Sequence, residues 1–204
     1  MKFLNCQIDL REKVLIPRIE TEFWVEKALK RLSFQKEAKP LKALDIFAGS
    51  GCIGVAVLKN IKNSRVDFVD IYEGAIKQIK INLKLNRISP KRYKIYKSDL
   101  FEKIRRKKYD VIFANPPYIA TERINEVQLS VLEKEPHIAL FSGEKGLDII
   151  KIFLREAKDK SNMIFMEFDP LQKEDIKKML EKFGYKKYQF FKDQFKKYRY
   201  LKCY

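Results

Sequence analysis

The chain has 204 residues, 46% of them hydrophobic and 13% aromatic, which is enough for one well-buried domain. Three widely spaced cysteines (Cys6, Cys52, Cys203) with no CxxC pair, and a lone histidine, His137, argue against a disulfide framework or a zinc site. The net charge of +17 points toward nucleic acid or a ribosomal neighbourhood, and with no signal-like start and no window of roughly 18 apolar residues a soluble cytoplasmic protein is expected, taken as a monomer.

The first element is a hairpin-like run from Phe3 to Ile16, and the domain boundary is placed after residue 19. A helix follows over Glu20–Leu32, with Phe23, Leu29 and Leu32 among its apolar positions, and Gln35–Pro40 reads as a short hinge. From residue 41 short β-branched or aromatic runs alternate with helical periodicity, the pattern of strand-helix units around a parallel sheet. The sequence predicts a strand over Leu41–Phe47, a helix over Cys52–Ile61, a strand over Arg65–Ile71 and a helix over Glu73–Leu85. Strands at Tyr93–Tyr96 and Val111–Ala114 come next, then a long loop, a helix from about Gly146 to Lys158, a strand over Asn162–Phe168 and a helix over Leu171–Phe183. Tyr185–Phe191 and Tyr198–Cys203 read as an antiparallel ending to the sheet.

The charge is unevenly spread. Residues 77–108 hold 13 Lys/Arg against two acids and residues 182–204 hold eight against one, whereas 116–148 holds three bases and six acids. Lysines on solvated faces and an RNA-contacting surface both account for the two basic blocks.

Two loops carry chemistry. Asp45-Ile46-Phe47-Ala48-Gly49-Ser50-Gly51-Cys52-Ile53-Gly54 joins a strand to a helix, and its small residues let backbone approach a ligand. Asp70 ends the next strand, placed to accept from ribose hydroxyls, so a nicotinamide cofactor is open on this element alone. S-adenosylmethionine is favoured by three further residues. Asp45 is placed to order the loop or meet the cofactor's ammonium group, Asp99 to accept an adenine amine beside Leu100 and Phe101, and Asn115 brings an NH2 grip to the same sheet edge.

The second loop is Asn115-Pro116-Pro117-Tyr118, straight after the strand pattern ending at Ala114. An asparagine carbonyl and two prolines without N–H make it rich in acceptors, which suits a planar NH2 group giving up both hydrogens, with Tyr118 stacking on the flat group attached to it. Held by Asn115 and Pro116, such a nitrogen is pyramidalised and aimed at a methyl donor, and no strong base is needed, because the proton can leave after transfer. His137, alone in a polar loop, is given no role.

With these residues in hand the chain resembles the class I methyltransferases, and among them the HemK-type protein-(glutamine-N5) methyltransferases of peptide chain release factors. The resemblance runs through Leu15-Ile16-Pro17-Arg18-Ile19-Glu20-Thr21-Glu22, Leu44–Gly51, Ser98–Phe101, Asn115–Tyr118 and Glu135-Pro136-His137-Ile138-Ala139-Leu140 with Gly143, Gly146 and Leu147. It implies a Rossmann-like fold with a mostly parallel seven-stranded sheet, helices on both faces and an antiparallel C-terminal strand pair, over residues 20–204. It implies S-adenosylmethionine contacts from Phe47, Ala48, Gly49, Ser50, Gly51, Asp70, Leu100 and Asn115, and a glutamine held by Asn115, Pro116, Pro117 and Tyr118. Phe47 stands where the family usually has glycine, and Ile19 where it has proline. The family's separate N-terminal helical domain is expected to be absent. The rival is an amine methyltransferase acting on nucleic acid, with the two basic blocks on phosphates.

Overall fold

The computed structural model describes residues 1–33 and 39–204; most of the expected hinge at Gln35–Pro40 lies outside them. Seven strands form one sheet: β3 (Leu41–Ile46), β4 (Ser64–Asp70), β5 (Tyr93–Lys97), β6 (Val111–Ala114), β7 (Ile164–Glu167), β8 (Tyr188–Lys192) and β9 (Tyr198–Cys203). Their order is β5-β4-β3-β6-β7-β9-β8, with β3 to β7 mutually parallel and β9 antiparallel to both neighbours. A separate two-stranded hairpin, β1 (Lys2–Phe3) with β2 (Cys6–Gln7), opens the chain.

The central strands are buried on both faces, so they read as unbroken apolar runs. Val111 and Phe113 of β6 join one core with α1 (Ile19–Ser33), α2 (Cys52–Asn60) and α3 (Glu73–Leu85). Ile112 and Ala114 join the other with α5 (Asp148–Ala157) and α6 (Lys173–Lys182). On the α1 face Trp24 stacks between Phe113 and Tyr200, with ring centroids 6.3 and 5.8 Å away. The N-terminal hairpin closes at Gln7, shorter than the expected run Phe3–Ile16, and from α1 onward predicted and observed elements agree to within about three residues. The exception is the 116–147 connection, expected as a loop, which holds the short helix α4 (Leu129–Lys134) and several 3-10 turns.

The N-terminal segment is sewn to α3 by side-chain amides. Gln78, Asn82 and Asn86, four residues apart on one helix face, accept the backbone N–H groups of Glu12, Asp9 and Gln7 at 2.9, 2.8 and 3.0 Å. Asn82 and Asn86 donate back to the carbonyls of Asp9 and Gln7, so these two amides imitate a neighbouring strand. This ladder carries Val14, Leu15 and Arg18 to the C-terminal edge of the sheet. The chain order reverses there between β3 and β6, the place where open α/β sheets leave a crevice.

Candidate active site

Both loops singled out from the sequence open into that crevice. The turn after β3 begins at Phe47, whose φ of +60° ends the strand at Ile46, and the loop after β6 begins at Asn115. Two cavities lie beside them and share three wall residues, Leu15, Asn115 and Ala139.

The first cavity, about 250 Å³, is mostly apolar, with Val69, Ile71, Leu100 and Ile138 in its wall and Asp70, Asp99 and Tyr72 as polar residues. Two left-handed non-glycine residues line it, Phe47 and Leu100, at φ +60° and +39°. Phe47 is held there by an edge contact to Phe153, centroids 5.7 Å apart. Asp70 is already engaged, since its two carboxylate oxygens accept the N–H groups of Gly49 and Tyr72 at 2.8 and 2.9 Å. Burial lifts its carboxyl above the usual carboxylate range, against the pull of those N–H donors. Asp99 is exposed at the cavity's margin.

Other residues of the glycine loop stand behind this wall. Ala48, Ser50 and Gly51 are buried and outside the lining. Asp45 is fully buried within β3, and its Oδ2 accepts the Gly54 N–H at 2.8 Å, fixing the start of α2 to the sheet. Of the two tasks expected of Asp45, the geometry provides the ordering of the loop. Burial holds its carboxyl well above the usual range, with the Asp70 charge adding to the effect, and its Oδ1 has no partner among the described residues. Gly54 has to be glycine because a Cβ would sit 2.2 Å from the Phe68 ring.

The second cavity, about 490 Å³, is walled by Arg18, Asn115, Pro116, Tyr118, Arg123 and Gln128 among others. The two prolines part here, Pro116 to this cavity and Pro117 to the first. Asn115 Oδ1 is buried and, among the described residues, without a hydrogen-bond partner, an acceptor left open on the wall between the two spaces. An orphaned buried acceptor is costly unless a ligand donates to it.

What holds this second wall was not visible in the sequence. Glu167, at the end of β7, is 1% exposed. It accepts from Thr21 Oγ1 at 2.7 Å and Trp24 Nε1 at 2.6 Å through one oxygen, and from the Tyr118 hydroxyl at 3.0 Å through the other. Its carboxyl is raised by burial, with the three donors opposing, and burial beside the Glu167 charge keeps the Tyr118 phenol protonated. Arg18 meets the fully buried Glu135 at 2.6 Å, and burial, opposed by Arg18, lifts the Glu135 carboxyl too. Gln172 places its Nε2 within 2.8–3.1 Å of the carbonyls of Tyr118, Lys145 and Gly146. A Cβ on Gly146, at φ +68°, would lie 2.1 Å from the Tyr118 carbonyl oxygen. The only sequence signal for Glu167 was a carboxylate closing an otherwise apolar strand, Ile164-Phe165-Met166-Glu167. His137 lies in a 3-10 turn, edge-on to Phe141, outside both linings.

The family model described as methyltransferase small domain matches residues 27–144, more than half of the chain. The chain belongs to this methyltransferase family. Its sequence kinship lies in the HemK-like branch: it is 36% identical over 197 residues to the release factor glutamine methyltransferase of Streptococcus pneumoniae, covering 95% of this chain and 68% of that protein. It is 31% identical over 202 residues to the bifunctional methyltransferase of Rickettsia typhi, covering 90% of this chain and 39% of that protein. The chain therefore spans about two thirds of the first relative and about two fifths of the second. Among solved structures, the hMettl16 catalytic domain in complex with MAT2A 3′UTR hairpin 6 superposes with a TM-score of 0.74 at 17% identity, over 98% of this chain and 75% of that one. The N-terminal domain of human METTL16 in complex with SAH gives 0.68 at 17% identity, over 97% and 75%. At such identities the likeness is one of fold, the mostly parallel Rossmann-like sheet of class I methyltransferases. No helix among the described residues is long and apolar enough to cross a membrane.

Proposed function

We propose that this protein is an S-adenosylmethionine-dependent methyltransferase acting on the side-chain amide nitrogen of a glutamine in a peptide chain release factor. The observation that carries the reading is Asn115 Oδ1, which has no partner among the described residues, on the wall shared by two cavities. An acceptor in that position suits an NH2 group reaching from one cavity toward a donor bound in the other. The cofactor supplies, when bound, a methyl group on a sulfonium centre.

The residues of the first cavity fit that cofactor. Leu100, Val69 and Ile71 offer apolar walls to a flat base, and Asp70 and Asp99 offer carboxylates to hydroxyl and amine hydrogens. Asp70 keeps lone pairs beyond the two that its backbone donors use. Phe47 and Gly49 bring the loop against the same space.

On the acceptor side, Asn115 Oδ1 and the Pro116 carbonyl take the two amide hydrogens. Accepting both pushes electron density onto a nitrogen whose lone pair is otherwise delocalised into its carbonyl, and fixes its direction. Tyr118 is fastened by Glu167 and so presents a set surface to the amide plane. The acid-rich 116–148 segment and the relatives named for release factors both favour a polypeptide here. The second reading, a nucleic-acid amine as acceptor, is favoured by the basic blocks alone.

The test is incubation with methyl-labelled cofactor and, in parallel, a release factor, total RNA and DNA. Label in the release factor supports the reading, and label confined to nucleic acid overturns it.

A further inference from the structure

The two basic blocks fall on opposite edges of the sheet. Residues 77–108 cover α3 and the edge strand β5, and residues 182–204 include the other edge strand, β8, six strand spacings or roughly 29 Å away. Lysine on an edge strand blunts edge-to-edge aggregation, and that accounts for Lys94 and Lys97 on β5. It does not account for α3.

Lys77, Lys80 and Lys84 stand three and four residues apart on the exposed side of α3, a spacing at which like charges destabilise a helix. Exposed Arg87 and Lys91 continue the row toward β5, and residues 103–108 carry it round the edge to the opposite face, where Ile104 joins the second core. Of the 13 cations in this block, Lys97, Arg105 and Lys107 meet carboxylates and Arg92 donates to the carbonyls of Leu58, Ile61 and Ser64. The other nine have no ion-pair partner among the described residues. The β8 edge differs in layout: Lys192 and Lys202 lie over the Tyr198 and Tyr204 rings and Arg199 pairs with Asp193, while exposed Lys186 and Lys187 precede β8 and exposed Lys196 and Lys197 follow it, so its open cations are split between the two ends of the strand and form no single row.

We infer that the α3–β5 edge is a docking surface for a nucleic-acid phosphate backbone, separate from the methyl-acceptor cavity. A row of exposed cations that outnumbers the acid beside it, Glu73 at the start of α3, is complementary to a polyanion, and none of residues 77–108 lines the acceptor cavity. The surface brings the enzyme to a nucleoprotein assembly and leaves the acceptor to the Asn115 wall.

The experiment is fluorescence anisotropy of a labelled 20-nucleotide mixed-sequence RNA with the full chain, from 50 to 200 mM KCl. Wild type is expected to bind at 50 mM with an affinity that falls as salt rises. The Lys77→Gln, Lys80→Gln, Lys84→Gln triple variant should bind at least tenfold more weakly at 50 mM, with its log–log salt slope shallower by about 2, at roughly 0.7 per single-strand phosphate contact. A triple variant on the other edge, Lys186→Gln, Lys187→Gln, Lys196→Gln, should change affinity less than twofold, and all three proteins should melt alike by circular dichroism. Absence of wild-type binding at 50 mM overturns the inference, as does equal loss in both variants. Transfer of labelled methyl to the RNA overturns the separation from the acceptor site.

Discussion

The two walls that meet at Asn115 are built differently. The cofactor-side wall is held by backbone groups from neighbouring loops: Asp70 accepts from Gly49 and Tyr72, and Ala48 donates its N–H to the Val69 carbonyl at 3.1 Å. The acceptor-side wall is held by charged and polar side chains far apart in sequence. Arg18 reaches Glu135 across 117 residues, and Trp24 and Thr21 reach Glu167 across 143 and 146. On the proposed function, the cofactor would be held through local turns and the acceptor by a wall fixed through long-range side-chain pairing.

Substitutions can break or sharpen that contrast. Asn115→Ala removes the open acceptor and should lower turnover by about 10²–10³-fold, the usual effect of deleting one preorganised polar group at a reacting centre. Thermal unfolding should scarcely move, because Oδ1 has no partner among the described residues to lose. Equal loss of stability and turnover would make Asn115 a structural residue.

Glu167→Ala leaves three donors without an acceptor and should cost about 3 kcal/mol in urea unfolding. Trp24 is the chain's one tryptophan, so its emission should shift in the same variant. pH sharpens this test. The Glu167 carboxyl is raised in the folded protein, so the folded state binds more protons than the unfolded one above about pH 4. Its contribution is therefore fully present below that pH and is lost as pH rises through the raised value. Asp45 and Asp70 add slopes of the same sign. Glu167→Gln should flatten the fall in stability across this window, and an unchanged slope would remove Glu167 from the account.

Arg18→Ala strands Glu135 in the interior. The arginine side chain is 34% exposed, so the loss should be about 2 kcal/mol, below that of a fully buried pair. KM for the acceptor should rise while cofactor affinity, measured by calorimetry, stays within about twofold of wild type, a span of about 0.4 kcal/mol. Phe47→Gly should have the smallest effect on stability, within about 1 kcal/mol, since relief at φ +60° is offset by the lost Phe153 contact. Its effect on cofactor affinity should exceed its effect on acceptor KM, the reverse of Arg18→Ala.

The same contrast governs what could be read from the chain. The strands, their alternation with helices and the loops at Gly49 and Asn115 were legible because periodicity and turn residues are local. Phe47 ending its strand one residue early is a local φ effect that sequence periodicity does not register. Glu167, Gln172 and the Arg18–Glu135 pair were not assigned roles, because a buried carboxylate announces its partners only after the sheet brings β7, α1 and the Asn115 loop together. Composition found two basic blocks, and only strand order showed that they occupy opposite edges.

The most direct test of the central claim is mass spectrometry of a release factor treated with this protein and S-adenosylmethionine. One added methyl is expected on the side-chain amide of the glutamine in a Gly-Gly-Gln segment, lost with Asn115→Ala. An unmodified glutamine, or a methyl placed on any other residue, would contradict it.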